Sequence, residues 1–266
     1  MTGLLPWRVV HGDGPLVAMA VHNGHAVREE VARSLALSEA DRLREEDPYT
    51  DEWAALAPTR VIGLRSRFEI DLNRPRDEAF YRTPDDAWGL EVWKAPPPED
   101  LARRSLEEHD AFYREAGELL NDVERRHGRF VVLDLHSYNH RRNGPDGAPA
   151  DPQGNPQVNV GTGTMDRERW APIVDRFISD LRAFDFPGGA LDVRENVKFL
   201  GRRVPQFVHQ SFPTTGCALA VEVKKFFMDE WTGERNPELF AAVGRALAST
   251  VPGILEELGK MKGVKQ

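Results

Sequence analysis

Three short runs of apolar residues each carry an ionisable side chain at or near the carboxyl end. They are residues 16–22 (LVAMAVH), 130–136 (FVVLDLH) and 217–223 (CALAVEV). Short apolar runs rich in β-branched or aromatic residues predict buried strands. The ionisable residues in question are His22, His136 and Glu222.

Apolar residues at helical spacing separate and follow these runs. The segments are 38–45, 101–126, 167–184 and 237–258. Strands that alternate with helices predict an α/β fold in which a mixed, mostly parallel sheet is covered by helices. Ligands of such sheets bind at the carboxyl ends of the strands, so we expect the three ionisable side chains to converge there. We see no domain boundary and expect residues 1–266 to form a single domain.

The composition narrows the classes of function. The chain has 266 residues with 35 Lys+Arg and 43 Asp+Glu, a net charge of −8, and an acidic balance argues against nucleic-acid binding. Its single cysteine, Cys217, excludes an internal disulfide framework. No apolar run approaches the roughly 20 residues that span a bilayer, and the first ten residues lack the pattern of a signal peptide. We therefore expect a cytoplasmic protein without a membrane partner; the oligomeric state is unknown at this point.

Two histidine motifs follow predicted strands. His22 and His25 lie in the segment VHNGH, where a strand end and a glycine turn would hold an imidazole in a fixed direction. In the segment DLHSY, strand alternation places Asp134 and His136 on one face, where the carboxylate can accept the second ring N–H. Either motif alone also fits a buried, hydrogen-bonded histidine, whereas the two together favour a metal site.

Acidic residues could complete such a site. Asp47 and Asp51 lie in EEDPYTD, and either could be the carboxylate ligand beside two histidines, although Asp47 could equally cap a helix. Glu222 stands in an apolar strand, which is costly unless the residue pairs with Lys224, Lys225 or a buried arginine, or has a function. Burial raises the proton affinity of a carboxylate and suits it to proton transfer near neutral pH.

Basic and amide side chains are concentrated in residues 65–75 (RSRFEIDLNRP), where an Asn-Arg pair follows a strand-like FEIDL. The arginine fork matches a carboxylate and asparagine adds a donor, so Asn73 and Arg74 predict a clamp for an acidic substrate. An exposed strand end with solvated charges is the alternative interpretation of this segment. We further expect Arg142 and Asn159 to bind substrate, and the long loop 141–163 to have a function.

Together these residues are the components of a zinc amide hydrolase. Zinc makes water more acidic and polarises a carbonyl. Glu222 would accept the proton of water and pass it to the leaving amine. An arginine, which we take to be Arg67, would stabilise the oxyanion.

The motifs resemble those of the N-formylglutamate amidohydrolase family. The matching segments are His-Asn-Gly at 22–24, the acidic segment 47–51, Ser-Arg at 66–67, Asp-Leu-Asn-Arg at 71–74, Asp-Leu-His-Ser at 134–137 and Glu222. Their order is also similar to that of zinc carboxypeptidases and aspartoacylases. The resemblance implies a three-layer, zinc-carboxypeptidase-like (phosphorylase/hydrolase-like) fold, one zinc ion, an Asn-Arg pair that binds a substrate carboxylate, and a glutamate general base.

The chain departs from these patterns at two places. Val21 and Asn23 stand where family members commonly have Pro and Ser, and His25 stands where carboxypeptidases have a ligand Glu. The third metal ligand therefore stays open: Asp47 is the first candidate, and His25 and Asp51 are the alternatives.

We expect a zinc-dependent amidohydrolase that acts on a small N-acyl amino acid with a free carboxylate, such as an N-formylglutamate-like substrate. Two alternatives use the same site. One is a carboxypeptidase-type peptidase acting on short peptides, and the other is a catalytically inactive binder of small acidic ligands.

Overall fold

Seven strands form one mixed sheet. In chain order they are β1 Trp7–Val10, β2 Leu16–Ala20, β3 Thr59–Gly63, β4 Phe130–Tyr138, β5 Val158–Gly161, β6 Val193–Glu195 and β7 Gly216–Lys224. Their order across the sheet is β1-β3-β2-β4-β7-β5-β6. Strands β3, β2, β4 and β7 are parallel to one another, whereas β1 runs antiparallel to β3 and β5 runs antiparallel to β7. Strand β6 is parallel to β5.

Eight α-helices accompany the sheet in the described part of the chain. They are α1 Glu29–Ser34, α2 Glu39–Glu45, α3 Thr50–Trp53, α4 Glu99–His127, α5 Ala171–Ala183, α6 Arg203–Ser211, α7 Pro237–Ser249 and α8 Val251–Lys262. This computed structural model describes residues 6–262. The prediction about a signal peptide concerns the first ten residues, of which residues 1–5 lie outside the described part. Both ends of the predicted 1–266 domain also lie outside it.

The central strands are apolar on both faces because helices cover both sides. Along β2, Val17 and Met19 pack in one core with residues of α4, such as Phe112. Leu16 and Ala18 point to the other face, where the core includes residues of α5 and α7. This alternation sandwiches the sheet between two helical layers. The predicted α/β class with a mixed, mostly parallel sheet is confirmed.

Other sequence predictions need correction. Residues 68–72 form turns rather than a strand, because their acidic side chains accept hydrogen bonds from other segments, as Glu69 does from Arg28. The predicted helix 237–258 is two helices that meet at Thr250. The predicted loop 141–163 contains β5.

The segment Pro237–Met261 has the length and apolar composition of a membrane span, with a hydropathy of 1.2. It is divided between α7 and α8, and both helices pack against α5. A helix pair that forms part of a protein core passes the same test of length and composition, so the absence of a membrane partner stays a prediction.

The imidazole of His209 gives the fold a pH-dependent stability. Its Nε2 accepts the backbone N–H of Ala218 at 3.0 Å, which requires the unprotonated nitrogen, and burial lowers the pKa of His209 to about 4. A histidine whose folded-state pKa is depressed stabilises the fold above its unfolded pKa of about 6.5, and this stabilisation is lost as the pH falls towards 4.

We therefore expect the wild type to lose about 1–2 kcal/mol more unfolding free energy than His209→Gln between pH 7 and pH 5. Urea unfolding at both pH values measures the difference. His11→Gln, which removes an exposed histidine, is the matched control and should follow the wild type. Equal pH dependence in the wild type and His209→Gln would contradict the assignment.

Candidate metal centre and active site

Two histidines and one aspartate converge at the carboxyl ends of β2 and β4. His22 follows β2, His136 lies near the end of β4, and Asp47 lies between α2 and α3. One ligand atom from each residue lies within 4.8 Å of the others, and the three residues are between 2% and 4% exposed. The hydrogen bond from the Asp47 N–H to the carbonyl of His22, 3.0 Å long, ties the aspartate segment to the end of β2.

The facing atoms have the chemistry of a metal site. Asp47 Oδ2 lies 2.9 Å from His136 Nδ1 and 3.5 Å from His22 Nδ1. Two imidazole nitrogens and a carboxylate oxygen are a ligand set that divalent metals such as zinc use in hydrolases. The donor set therefore fits a metal ion, and these three residues could hold one.

Each histidine also contacts a carboxylate through its other ring nitrogen. His22 Nε2 lies 2.6 Å from Asp71 Oδ1, and His136 Nε2 lies 2.9 Å from Asp134 Oδ1. A carboxylate in this position fixes the tautomer that presents Nδ1 to a metal and makes that nitrogen a better donor. This pairing of Asp134 with His136 is the one that strand alternation predicts.

The cluster consists of buried ionisable groups that shift one another's pKa values. Burial alone would raise the pKa of Asp47, but hydrogen bonds and positive charge from His136 and His22 outweigh it and hold that pKa below its ordinary value. Burial would lower the pKa of His136, but the charges of Asp134 and Glu222 raise it. The aspartate is therefore ionised and ready to bind a cation.

Glu222 lies beside His136 in the neighbouring strand of the sheet. The two residues are direct partners in the parallel pairing of β4 with β7. Burial, reinforced by the negative charges of Asp47 and Asp134, raises the pKa of Glu222 to about 7. A carboxylate with this pKa can both accept and release a proton near neutral pH.

Arg67 lies beside these residues and is held in one orientation. Its Nη2 donates to Asp71 Oδ2 at 2.8 Å and its Nη1 to the carbonyl of Glu45 at 3.3 Å. Tyr81 donates its hydroxyl to the same carboxylate of Asp71. Asp71 thus orients both His22 and Arg67.

These residues line a cleft with a volume of about 90 Å³. Its lining residues are His22, Glu45, Asp47, Arg67, Asn73, Trp88, His136, Ser137, Tyr138, Asn139, Arg142, Phe199, Arg202, Glu222 and Lys225. Seven of the residues are the sequence-predicted His22, Asp47, Arg67, Asn73, His136, Arg142 and Glu222.

The other predicted substrate-binding residues lie behind the cleft surface. The guanidinium of Arg74 packs 4.6 Å from the centre of the Tyr81 ring. Asn159 is the register partner of Glu222, but its side-chain oxygen accepts the backbone N–H of Lys198 at 2.8 Å and its amide donates to the carbonyl of Phe199 at 2.8 Å. In this arrangement Asn159 shapes the cleft through the loop that carries Phe199.

Asn73 and Arg142 do reach the cleft, each with a protein partner. The amide nitrogen of Asn73 lies 3.0 Å from His136 Nε2, and its oxygen accepts the N–H of Val204 at 2.9 Å. Arg142 Nη2 donates to Glu45 Oε2 at 3.1 Å.

The alternative third ligands point elsewhere. His25 Nδ1 lies 2.5 Å from Glu46 Oε2, and the side chain is 37% exposed. A carboxylate oxygen of Asp51 lies 3.9 Å from Arg8. Only Asp47 of the three candidates shares a cluster with His22 and His136 among the residues that the structure describes.

Sequence reasoning missed several cleft residues, including Trp88, Phe199 and Arg202. It considered Lys225 only as a partner of Glu222 and did not place it in the cleft. Trp88 is 44% exposed and has a positive φ of 55°, and its ring centre lies 4.8 Å from the guanidinium of Arg67. A positive φ is rare for a bulky residue. Trp88 ends a 3₁₀ turn and is partly exposed to solvent. No sequence pattern identifies such a residue as part of a cleft.

Trp88→Ala is expected to lower kcat by about two- to fivefold with a smaller effect on KM, because the ring covers one face of Arg67, the expected oxyanion donor, and an exposed cation–π contact contributes about 0.5–1 kcal/mol. Steady-state kinetics of Trp88→Ala and Trp88→Phe measure this. The Phe variant keeps an aromatic face and should remain closer to the wild type. A change confined to KM would contradict a role that acts through Arg67.

The fold and the site together define a class: an α/β protein with a buried His-Asp-His group that could hold a metal ion. The N-formylglutamate amidohydrolase family model matches residues 14–227. The chain therefore belongs to the N-formylglutamate amidohydrolase family and is an amide-bond hydrolase. No curated protein sequence matches the chain significantly.

Solved structures share the fold. The N-formylglutamate amidohydrolase of Ralstonia eutropha JMP134 is similar with a TM-score of 0.74 and 20% identity, covering 98% of this chain and 100% of that one. The gene product Atu2144 of Agrobacterium tumefaciens has a TM-score of 0.66 and 15% identity, covering 96% of each chain. A metallo-carboxypeptidase from Pseudomonas aeruginosa has a TM-score of only 0.38 at 17% identity, covering 91% of this chain and 57% of its own.

Proposed function

We propose that this hydrolase is zinc-dependent and cleaves the amide bond of a small N-acyl amino acid that has a free carboxylate. The observation that carries the proposal is the cluster of His22, Asp47 and His136, with Glu222 beside it and arginines at the cleft edge. Zinc bound by the three ligands would act as a Lewis acid towards the amide carbonyl and make water more acidic.

Glu222 is the proposed general base. It would take one proton from the water molecule whose oxygen attacks the carbonyl carbon, and later deliver that proton to the amine nitrogen as the C–N bond breaks. The products are a carboxylic acid and the free amino acid. Its position in a rigid central strand, opposite His136, supports this role because the base is then held at a fixed distance from the ligand residues.

Arg67 is the proposed oxyanion donor. Its contacts with Asp71, Tyr81 and the carbonyl of Glu45 fix the guanidinium in one orientation. A donor that is oriented before the reaction stabilises developing negative charge without reorganisation.

Arg202 and Arg142 are the proposed partners of the substrate carboxylate. Arg67 is paired with Asp71 and Arg142 with Glu45, whereas Arg202 forms no ion pair with a carboxylate in the part of the chain that the structure describes. It is exposed and stands at the N-terminus of α6, where the helix dipole favours an anion. Asn73 would stay within reach as a further donor.

Metal content and substrate profiling test the proposal. The purified protein should contain about one zinc ion per chain and should cleave N-formyl and other N-acyl amino acids, with loss of cleavage on chelation and recovery on adding zinc. If peptides of several residues are cleaved faster, the protein is a peptidase. Stoichiometric metal without turnover of any acyl amino acid or peptide would instead indicate a binding protein.

A further inference from the structure

Lys225 is a buried cation at the edge of the cleft. It follows β7 directly and is 1% exposed. Its Nζ donates to two backbone carbonyls, that of Arg44 at 2.6 Å and that of Glu46 at 2.7 Å. Within residues 6–262, no carboxylate ion pair to this ammonium is formed. Burying an ammonium group is costly, so carbonyl dipoles and the acidic surroundings must offset the cost.

The two carbonyls lie where the chain leaves a helix. Helix α2 ends at Glu45, and the last carbonyls of a helix have no partner within it. One ammonium that bonds the carbonyls on either side of Glu45 fixes the path of the chain there. The next residue after Glu46 is Asp47, the carboxylate of the candidate metal centre.

The same strand end also carries the proposed base. Glu222 and Lys225 are three residues apart, and β4 pairs with β7 from Phe130 to Tyr138, so the end of β7 is a rigid reference point. On the other side, the N–H of Asp47 is bonded to the carbonyl of His22. The aspartate segment is therefore held between the end of β2 and the residue that follows β7.

We propose that Lys225 is a positioning residue that holds residues 44–47 so that Asp47 faces His22 and His136 at a fixed distance from Glu222. The inference rests on the proposed metal-dependent function. It predicts that removing the ammonium weakens metal binding through displacement of Asp47, even though Lys225 does not contact the metal. Supporting residues around metal ligands typically change metal affinity by 10- to 100-fold.

The test is the zinc affinity of Lys225→Met, measured by competition with a chromophoric chelator. We expect affinity to fall about 10- to 100-fold and the visible spectrum of the cobalt-loaded protein to change, since the ligand geometry is altered. Lys224→Met is the matched control. Lys224 is the preceding residue and its Nζ also donates to a carbonyl, that of Asn155, but it does not line the cleft; its removal should leave affinity and spectrum unchanged.

A purely structural role has a different signature. Lys225→Met would then lower the thermal midpoint of the metal-free protein, while the folded variant would bind zinc and cobalt as the wild type does, and this result overturns the proposal. Lys225→Gln, which is shorter and cannot span both carbonyls, replaces the Met variant if that variant does not fold. Failure of the wild type to bind zinc or cobalt would overturn the proposed function itself.

The wild-type protein offers a second measurement. Coupling between two sites is reciprocal, so metal binding should also tighten the contacts of Lys225. In protein labelled with ¹⁵N-lysine, adding zinc should shift the Nζ resonance of Lys225 and slow exchange of its hydrogens, with Lys225→Gln assigning the signal. A resonance that is unchanged while zinc binds stoichiometrically would contradict the proposal.

Discussion

Glu222→Gln is expected to lower kcat by about 10²- to 10⁴-fold while leaving zinc affinity within a few fold of the wild type. Glutamine has nearly the same shape as glutamate but cannot accept the proton of water. The residue pairs with His136 across the sheet without belonging to the three-residue ligand cluster. Rapid-quench or steady-state kinetics, together with metal analysis of the same preparation, measure both quantities.

The pH dependence of the same variant provides a second readout. The base must be deprotonated, so wild-type activity should fall as the pH decreases through the pKa of Glu222, which is about 7 in the metal-free protein. A bound cation favours the charged form and moves this limb to lower pH. The Gln variant should lack the limb.

As the pH rises, the stability of the metal-free wild type should fall, whereas the activity of the enzyme should rise. The pKa of Glu222 is raised from 4.5 to about 7 on folding, so its relative stabilisation is complete below pH 4.5 and is lost as the pH rises through 7. Above pH 7 the metal-free Gln variant should therefore be more stable than the metal-free wild type by about 3 kcal/mol. Denaturant unfolding at pH 6 and pH 8 measures this. A variant that loses both stability and activity would indicate a structural role for Glu222.

The central strands and their three ionisable residues could be predicted because the signal is local and the topology is simple. A strand that is buried on both faces can be recognised from its own apolar residues, without knowledge of the neighbouring strands. Parallel strands bring their carboxyl ends to one edge of the sheet. Strands β2, β4 and β7 are neighbours in the sheet, so His22, His136 and Glu222 meet. The short outer strands β1 and β3 carry charged residues, such as Arg8 and Arg60, and have no comparable pattern.

The rest of the site depends on long-range contacts that leave little trace in the sequence. FEIDL has the alternation of a strand, but Asp71 is the acceptor for His22, Arg67 and Tyr81, and these bonds favour a turn. Arg202 reaches the cleft from the start of α6, more than 120 residues after the basic segment 65–75. Lys225 could be recognised only as a possible partner of Glu222, because its actual acceptors are backbone carbonyls.

Asp47→Asn is expected to weaken zinc binding by at least about 100-fold and to reduce activity in parallel, since the substitution removes the charged member of the ligand set. The sequence alone leaves Asp47, Asp51 and His25 as alternatives because the segment between α2 and α3 has no periodicity. Tyr49, between the two aspartates, has a φ of 71°, a left-handed conformation that separates the directions of their side chains. Zinc content after dialysis against a weak chelator measures the loss.

Asp51→Asn is the matched control, because the same atoms change four residues away. Its carboxylate is 33% exposed, and its nearest cation, Arg8, is 3.9 Å away, so zinc content and activity should both remain. His25→Gln should also retain the metal, although losing the contact with Glu46, which is fully buried, should lower stability. Zinc loss in Asp51→Asn or His25→Gln, with retention in Asp47→Asn, would assign the third ligand differently. The proposed role of Lys225 would then fail as well, since that residue acts through Asp47.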